Sequence, residues 1–467
     1  MQRHYHLWTI GCAMNEADSR TLAARLEALG YAPSPRMEQA EVIVLNTCVI
    51  RQQAEDKIHR QLSQFKTIKE RRPELTLAVM GCLVGQRELV KLQERFPFVD
   101  VFLPPSEPAA LLDLLQNRAL DAAAEAQETK CAVDTEWPVM PPSAQGQTVT
   151  AQVPVVLGCS HACSFCIIPY RRGAEQSRPR DAILEEVRRL VAHGIREVTL
   201  LGQIVDRYGL DLDGGYELAD LLRDVARVEG LHRVRFLTSH PNWMSDRLLD
   251  TVASDAKLCP LFELPIQAGN DTVLERMRRG YTAGQFRDLV ARIRQRLPEA
   301  AINTDVIVGF PGETEVQFMD TFQVLEDLRL DVIHLAQYSE RPGTFAARQM
   351  PDDVPAAEKQ RRWEMIEAQG KRILGEKHQT LRGQTVSVLI EGRDEKRDRW
   401  WGRTPQGKLV FFPDAKSRLG DIVEVELDWT GPFTMIGHPA ESAGVIDPGY
   451  NSAAIAGFGE AGNRGNT

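Results

Sequence analysis

From residue 1 to about residue 115, short apolar runs alternate with amphipathic stretches. His6–Ile10, Val42–Leu45 and Leu77–Met80 are apolar, partly β-branched and bounded by polar residues, as buried strands are. Between them, Ser19–Leu29 and Ala54–Phe65 place apolar residues at helical spacing. The alternation predicts an open parallel α/β domain over 1–116. The periodicity fails over 117–149, where alanines, Pro141, Pro142 and small polar residues predict a linker.

A second alternating block fills 150–372. Strands are expected at Ala151–Leu157, Glu197–Leu201, Val234–Leu237, Leu261–Leu264, Ile302–Val308 and Val332–Tyr338. Helices are expected at Ala182–Ala192, Leu218–Val228, Ala283–Arg294 and Glu315–Leu328. Such a series of β/α units predicts a partial (β/α)6 barrel. Glu358–His378 reads as a charged connecting helix. After it the period changes to two, with strands at Gln384–Leu389, Arg399–Arg403, Lys408–Phe412 and Asp421–Leu427, which predicts a small β-barrel over 373–437. The Gly-, Ala- and Asn-rich stretch 438–467 is expected to be a disordered tail.

Composition narrows the class. The 467 residues are 43% hydrophobic and 26% charged, and no apolar run is long enough to cross a bilayer. The first residues enter a strand pattern without the apolar block of a signal peptide, so a cytoplasmic location is expected. In that compartment eight cysteines argue for metal ligation over disulfides. A net charge of −9 gives no support to non-specific nucleic-acid binding, although Arg171, Arg172, Arg178 and Arg180 crowd together, as do Arg278 and Arg279.

The cysteines fall into two sets. Cys159, Cys163 and Cys166 lie within eight residues, just after the first strand of the second block, at the barrel end where active sites sit. Three local thiolates on a cubane iron–sulfur cluster leave one iron open to a small molecule, whereas zinc would ask for a fourth ligand that only His161 could offer locally. Cys12, Cys48 and Cys82 each follow one of the first three strands, 36 and 34 residues apart. Thiols presented at the carboxyl ends of three strands can converge on a second cluster. Cys131 reads as a linker thiol and Cys259 as packing.

With both sets in view, the chain resembles the radical S-adenosylmethionine (SAM) methylthiotransferases through about residue 436. The resemblance rests on Gly11–Asn15 with Asp18 and Ser19, Asn46–Arg51, Gly81–Cys82, the Cys159–Cys166 loop, Arg172–Arg178, Leu201–Gln203, Leu264–Gly269, Thr304–Thr314 and Tyr338–Thr344. Gly402–Thr404 and Lys408–Phe412 resemble the core of a TRAM domain, a small RNA-binding barrel. The resemblance implies two 4Fe-4S clusters, a SAM-cleaving one on Cys159, Cys163 and Cys166 and a sulfur-donating one on Cys12, Cys48 and Cys82. It further implies SAM contacts from Glu175, Ser177, Arg178, Gly202 and Gln203, with Phe165 shielding the irons. Asp305, a carboxylate in an otherwise apolar strand, is expected near SAM or substrate because its burial must be compensated.

Met14–Asn15, Arg51 and Arg341–Thr344 are most similar to the branch that methylthiolates C2 of N6-(dimethylallyl)adenosine beside the tRNA anticodon, although Ala13 stands where that branch usually has Gln. The alternatives are threonylcarbamoyl-adenosine in tRNA or a ribosomal-protein aspartate as substrate, or a non-enzymatic RNA-binding redox sensor. Implied partners are tRNA and an electron donor such as flavodoxin or ferredoxin, with a monomer expected. Arg171 and Arg172 beside the cysteine loop, and Arg399 and Arg403 beside Trp400 and Trp401, are the candidate RNA contacts. Because neighbours on a strand face opposite ways, one of the two tryptophans is expected in the core.

Overall fold

A computed structural model describes residues 2–48, 52–85, 89–125 and 137–440; Arg51, Cys131 and the stretch 441–467 lie outside the described residues. The first domain runs β1 (Arg3–Thr9), α1 (Ala13–Ala28), β2 (Tyr31–Pro33), β3 (Val42–Thr47), α2 (Gln52–Arg71), β4 (Thr76–Gly81), α3 (Leu89–Arg95), β5 (Val101–Leu103) and α4 (Ala109–Glu125). Its strands form one parallel sheet in the order β2-β1-β3-β4-β5. Because the chain visits the β2 edge between β1 and β3, the strands that precede Cys12, Cys48 and Cys82 are direct neighbours. The direction of winding reverses between β1 and β3, which is where open α/β sheets bind ligands.

Two short strands, β2 and β5, are absent from the expected pattern because three residues make no detectable run. Helix α1 begins at Ala13 rather than Ser19. Its first turns bury Asn15, Asp18 and Ser19, and a polar residue facing inward does not register as core. Helix α4 continues to Glu125, past the expected start of the linker, with Leu111, Leu112 and Leu115 packed in the core.

The central domain runs β6 (Thr150–Pro154), β7 (Val156–Leu157), α5 (Ile168–Arg172), β8 (Gln176–Ser177), α6 (Arg180–Ala192), β9 (Glu197–Leu201), α7 (Leu218–Ala226) and β10 (Arg233–Leu237). It continues through α8 (Asp246–Ser254), β11 (Leu261–Glu263), α9 (Asp271–Arg276), α10 (Ala283–Arg296), β12 (Ala301–Val308), α11 (Glu315–Leu328), β13 (Ile333–Gln337), α12 (Phe345–Gln349) and α13 (Ala356–Gln379). Strands β6, β9 and β10 form one parallel triplet and β11, β12 and β13 another. The triplets meet through a single Val234–Leu258 bridge and a Ser239 N–H to Glu263 carbonyl bond of 3.0 Å. The result is six staves of an incomplete barrel. The expected strand Ala151–Leu157 is split at Val155, after Pro154, and β7 turns away to pair antiparallel with β8.

An incomplete barrel has two free edges. Helix α1 of the first domain packs along β6, and α13 packs along β13. Arg20 on α1 pairs with Glu186 on α6 at 3.0 Å, and Glu186 also holds Arg178 at 2.8 Å.

The last domain is a closed barrel, β14-β15-β16-β18-β17, built from β14 (Thr385–Asp394), β15 (Arg399–Arg403), β16 (Leu409–Phe412), β17 (Ile422–Thr430) and β18 (Met435–Pro439). Strand β18 pairs with both β16 and β17, and its buried Met435 belongs to the barrel core, so the chain is still structured at 438 and 439. The barrel docks on the amino-terminal ends of the staves. Arg233 donates to the Arg403 carbonyl at 2.6 Å, and Arg235 donates to the carbonyls of Pro405 and Thr404 at 2.6 and 2.7 Å. The cysteine loop occupies the opposite end.

Candidate active site

Strands β1, β3 and β4 deliver Cys12, Cys48 and Cys82 to one place. Behind them lies a buried polar network. Asn15 donates to the Asn46 side chain and to the Thr47 carbonyl, both at 2.8 Å, and Asn46 donates back to the Asn15 carbonyl and to Ser19 Oγ at 2.8 and 2.9 Å. Gly81 completes the floor at φ +97°, where a Cβ would stand 2.4 Å from the Thr47 carbonyl oxygen. The thiols feel one another. A hydrogen bond with Cys48 leads the effects that bring the Cys12 thiol down to about 6, helped by the charge of Arg172, whereas burial pushes Cys82 up.

The second set sits on the loop between β7 and α5. Gly158, at φ +67°, lets this loop fold back on itself, since a Cβ there would lie 2.1 Å from the Ala174 carbonyl oxygen. The Cys159 N–H bonds the Gly173 carbonyl at 3.1 Å, and Ser164 is tied to the carbonyls of Met277 and Arg276 at 3.1 and 2.7 Å. Cys163 Sγ receives Arg279 Nη1 at 3.1 Å and lies 3.1 Å from His161 Nδ1. Burial raises Cys159 and carries Cys166 up to about 12, with Cys163 adding to both shifts. Burial also lowers His161 to about 4, so the ring is neutral beside Cys163.

One apolar cluster at the domain joint takes in thiols from both sets. Cys82, Cys159, Ile167, Ile168 and Ile204 belong to a single buried apolar cluster that continues into Ile43 and Leu45 of the first domain, with Cys166 packed against it. Among the described residues, no three His, Cys, Asp or Glu side chains are close enough to grip one metal ion. Thiolates bound to separate irons of a cubane stand farther apart than ligands of one ion. Three thiols per site, each set carrying a guanidinium donor, fit that kind of cluster.

The other expected site residues divide into groups. Phe165 packs edge-on to Phe310 with centroids 6.3 Å apart, which anchors the cysteine loop. Glu175 accepts from Arg207 at 2.8 Å, Ser177 Oγ accepts the Gly209 N–H at 2.9 Å, and Arg178 is held by the Pro154 carbonyl and Glu186. Gly202 is pressed between Val156 and Val205, and Gln203 beside it is half-buried at the carboxyl end of β9. Asp305 is half-buried on β12 and close enough to Tyr281 to influence its hydroxyl.

Of the expected RNA contacts, Arg171 lines a cavity of about 230 Å³ together with Pro104, Glu107 and Tyr170. Arg172 departs from expectation. Its side chain is 3% exposed and bonds Cys82 and Asn15, because α5 turns it into the joint. Arg399 departs as well; it lies beneath the Phe411 ring at 4.1 Å and pairs with Asp394 at 3.3 Å. Arg403 keeps a partly exposed side chain over Trp401, paired with Glu391. Trp400 packs against the barrel core while Trp401 lies across Gly392 on the other face, as strand alternation requires.

Several participants carried no assignable signal in the sequence. Arg279 was visible only as half of a charged pair. Asp206, which accepts the His240 N–H at 3.0 Å and is pushed up to about 8 by burial, lay inside an ordinary turn. Arg207 stacks over Trp243 at 4.4 Å while bonding Glu175, a pairing of residues far apart in the chain.

Comparison with known proteins agrees with this architecture. Residues 4–104 match the family described as uncharacterized protein family UPF0004, 153–325 the radical SAM superfamily, and 379–439 the TRAM domain. The radical SAM methyltransferase TsrM from Kitasatospora setae, solved with cobalamin and a [4Fe-4S] cluster bound, shares the fold at TM-score 0.51 and 15% identity, over 74% of this chain and 77% of that one. Proteins named tRNA-2-methylthio-N(6)-dimethylallyladenosine synthase are far more similar. That of Roseiflexus sp. is 45% identical over 94% of this chain and 90% of its own length. That of Chloroflexus aurantiacus is 43% identical over 94% and 92%. Three matched domains in this order, two three-cysteine sites and identity of this extent place the chain in the tRNA-2-methylthio-N(6)-dimethylallyladenosine synthase family.

Proposed function

We propose that this protein is a radical SAM enzyme that methylthiolates C2 of N6-(dimethylallyl)adenosine next to the anticodon of tRNA, using two molecules of SAM. The observation that carries the reading is a buried apolar cluster across the domain joint that takes in Cys82 of one three-thiol site and Cys159 of the other, with Cys166 packed against it. When bound, the cluster on Cys159, Cys163 and Cys166 supplies the electron that cleaves SAM, and the cluster on Cys12, Cys48 and Cys82 supplies the sulfur. The chain's own side chains prepare the place. Ile167, Ile168 and Ile204 exclude water from the joint, and Phe165 fixes the loop. Glu175, Ser177, Gly202 and Gln203, beyond the carboxyl ends of β6 and β9, and Asp305, midway along β12, are assigned to SAM, whereas Arg178, expected among these contacts, is engaged by the Pro154 carbonyl and Glu186 and braces β6. Arg171 and Arg403 are the basic side chains assigned to tRNA. Flavodoxin or ferredoxin serves as electron donor to a cytoplasmic monomer in this reading; no helix among the described residues is long and apolar enough to cross a membrane.

The test separates the two sites. A Cys48→Ala variant is expected to keep reductive SAM cleavage and lose methylthio-adenosine, whereas Cys163→Ala loses both. The readouts are deoxyadenosine release and mass spectrometry of tRNA nucleosides. Methylthio-adenosine formed by the Cys48→Ala protein would remove the second cluster from the reading.

A further inference from the structure

Among the described residues, each three-thiol site receives a buried guanidinium on one of its sulfurs. At the Cys159 loop this is Arg279, whose side chain also donates to the Tyr281 hydroxyl at 3.1 Å and to the Pro265 carbonyl at 3.2 Å. At the other site it is Arg172, whose Nε lies 3.2 Å from Cys82 Sγ and whose Nη2 lies 3.3 Å from Asn15 Oδ1 and 3.5 Å from Asp18 Oδ2. Arg172 does not belong to the domain whose thiol it touches. It ends α5, six positions after Cys166. One short stretch of chain, 159–172, thus carries all three thiols of one site and the sulfur-directed donor of the other.

Burial makes this placement informative. The Arg172 and Asp18 side chains are 3% and 4% exposed, and a guanidinium taken this far from water is costly unless each face finds an acceptor. Asp18 is held in turn by Ser106 Oγ at 2.7 Å, so the acceptor side is itself built. Hydrogen bonds to cluster sulfurs and nearby positive charge favour the reduced, more negative state of a cluster.

The geometry points to Arg172 as a positioning residue for the sulfur-donor site: it is lent by the SAM domain, orients the Cys82 thiolate and raises the reduction potential of the cluster held there, while Arg279 does the same for the SAM cluster alone. The inference rests on the reading of Cys12, Cys48 and Cys82 as cluster ligands.

The experiment uses the full-length protein with both clusters reconstituted, and variants Arg172→Gln, Arg172→Lys and Arg279→Gln. Iron is counted, and each cluster is titrated redoxically by electron paramagnetic resonance, with a Cys12→Ala/Cys48→Ala/Cys82→Ala protein to identify the signals. Arg172→Gln is expected to lower the midpoint of the donor-cluster signal and leave the SAM-cluster signal in place, and Arg279→Gln to do the reverse. If Arg172→Gln instead loses half of the iron, recovery of that iron in Arg172→Lys supports the assignment. An unchanged donor midpoint with full iron overturns it, as does iron loss that falls on both clusters alike. A triple-cysteine variant that keeps all its iron would strike the underlying reading instead.

Discussion

Asn46 is wholly buried at the carboxyl end of β3, and its side-chain amide bonds the start of α1, which follows Cys12 directly. Truncating it to Ala removes one partner each from the Asn15 carbonyl, the Asn15 side-chain amide and Ser19 Oγ, the last of which keeps Thr9 Oγ1 at 2.6 Å. At about 0.5–1.5 kcal/mol for each hydrogen bond removed, Asn46→Ala should destabilise the first domain by about 2–4 kcal/mol. Urea unfolding followed through Trp8 fluorescence checks the figure, and a loss well below 1 kcal/mol would show that the network relaxes. The same residue shows what a sequence displays at this scale. Cys12, Cys48, Cys82 and Cys159 announced themselves because each follows an apolar run, and Cys163 and Cys166 by their spacing from Cys159. Asn46 stood in the same motif, yet nothing in its neighbours says that it faces Asn15. Arg172 and Arg399 looked like solvent-facing cations because burial of a charge depends on partners distant in the chain, Cys82 in one case and the Phe411 ring in the other.

Among the elements, the junction of α13 with the terminal barrel is sensitive to pH. His378, near the end of α13, lies 2.8 Å from the Gly431 carbonyl through Nδ1 and 3.2 Å from Lys408 Nζ through Nε2. A neutral ring satisfies both, donating at Nδ1 and accepting at Nε2, while burial and the Lys408 charge bring its pKa down to about 4. The folded state therefore resists protonation more than the unfolded chain. Stability that is full above the unfolded value of about 6.5 drains away as pH falls towards 4, by on the order of 3 kcal/mol. Asp331, paired with Lys377 at 2.5 Å and Lys408 at 3.2 Å, is held below the ordinary carboxylate range and extends the loss at still lower pH. Amide protection factors in β17 and β18, corrected for the intrinsic pH dependence of exchange, should fall between pH 6.5 and 4.5, and His378→Gln should flatten that dependence. Equal pH dependence in the variant would place the acid sensitivity elsewhere. Helix α13 was legible as a charged connector, but its buried contacts with β13 and the barrel were not, since a connector and a packed helix share one charge pattern.

For the molecule as a whole, the terminal barrel is a fixed part of the architecture. Arg235 bonds Glu197 at 2.7 Å and two barrel carbonyls at once, and both side chains are 6% exposed. Removing the guanidinium leaves Glu197 buried without its partner, a loss of about 3–5 kcal/mol. Arg235→Met should therefore open the segment between α13 and β14 to proteases and weaken tRNA binding, with SAM cleavage retained. Limited proteolysis and a salt titration of tRNA affinity test this; an unchanged digestion pattern would mean that the apolar contacts alone hold the barrel. The three domains and their order were legible from the change of period along the chain. Their mutual seating was not, because the residues that seat them, Arg20, Glu186, Arg233 and Arg235, are charged groups whose partners lie in other domains.

The packing of α1 along β6 has a last consequence. The first domain serves as the missing wall of the barrel and is fastened to it by the buried pairs Arg20–Glu186 and Arg172–Asp18, so the thiol sites are expected to keep their places when RNA arrives. Recognition of a folded anticodon arm would then leave the movement to the RNA. The modified nucleoside must travel instead, swinging out of its stack to reach the joint, and the unstacking cost, typically a few kcal/mol, falls on the RNA. A loop already loosened at that position would meet the enzyme at a lower cost than one held firmly stacked.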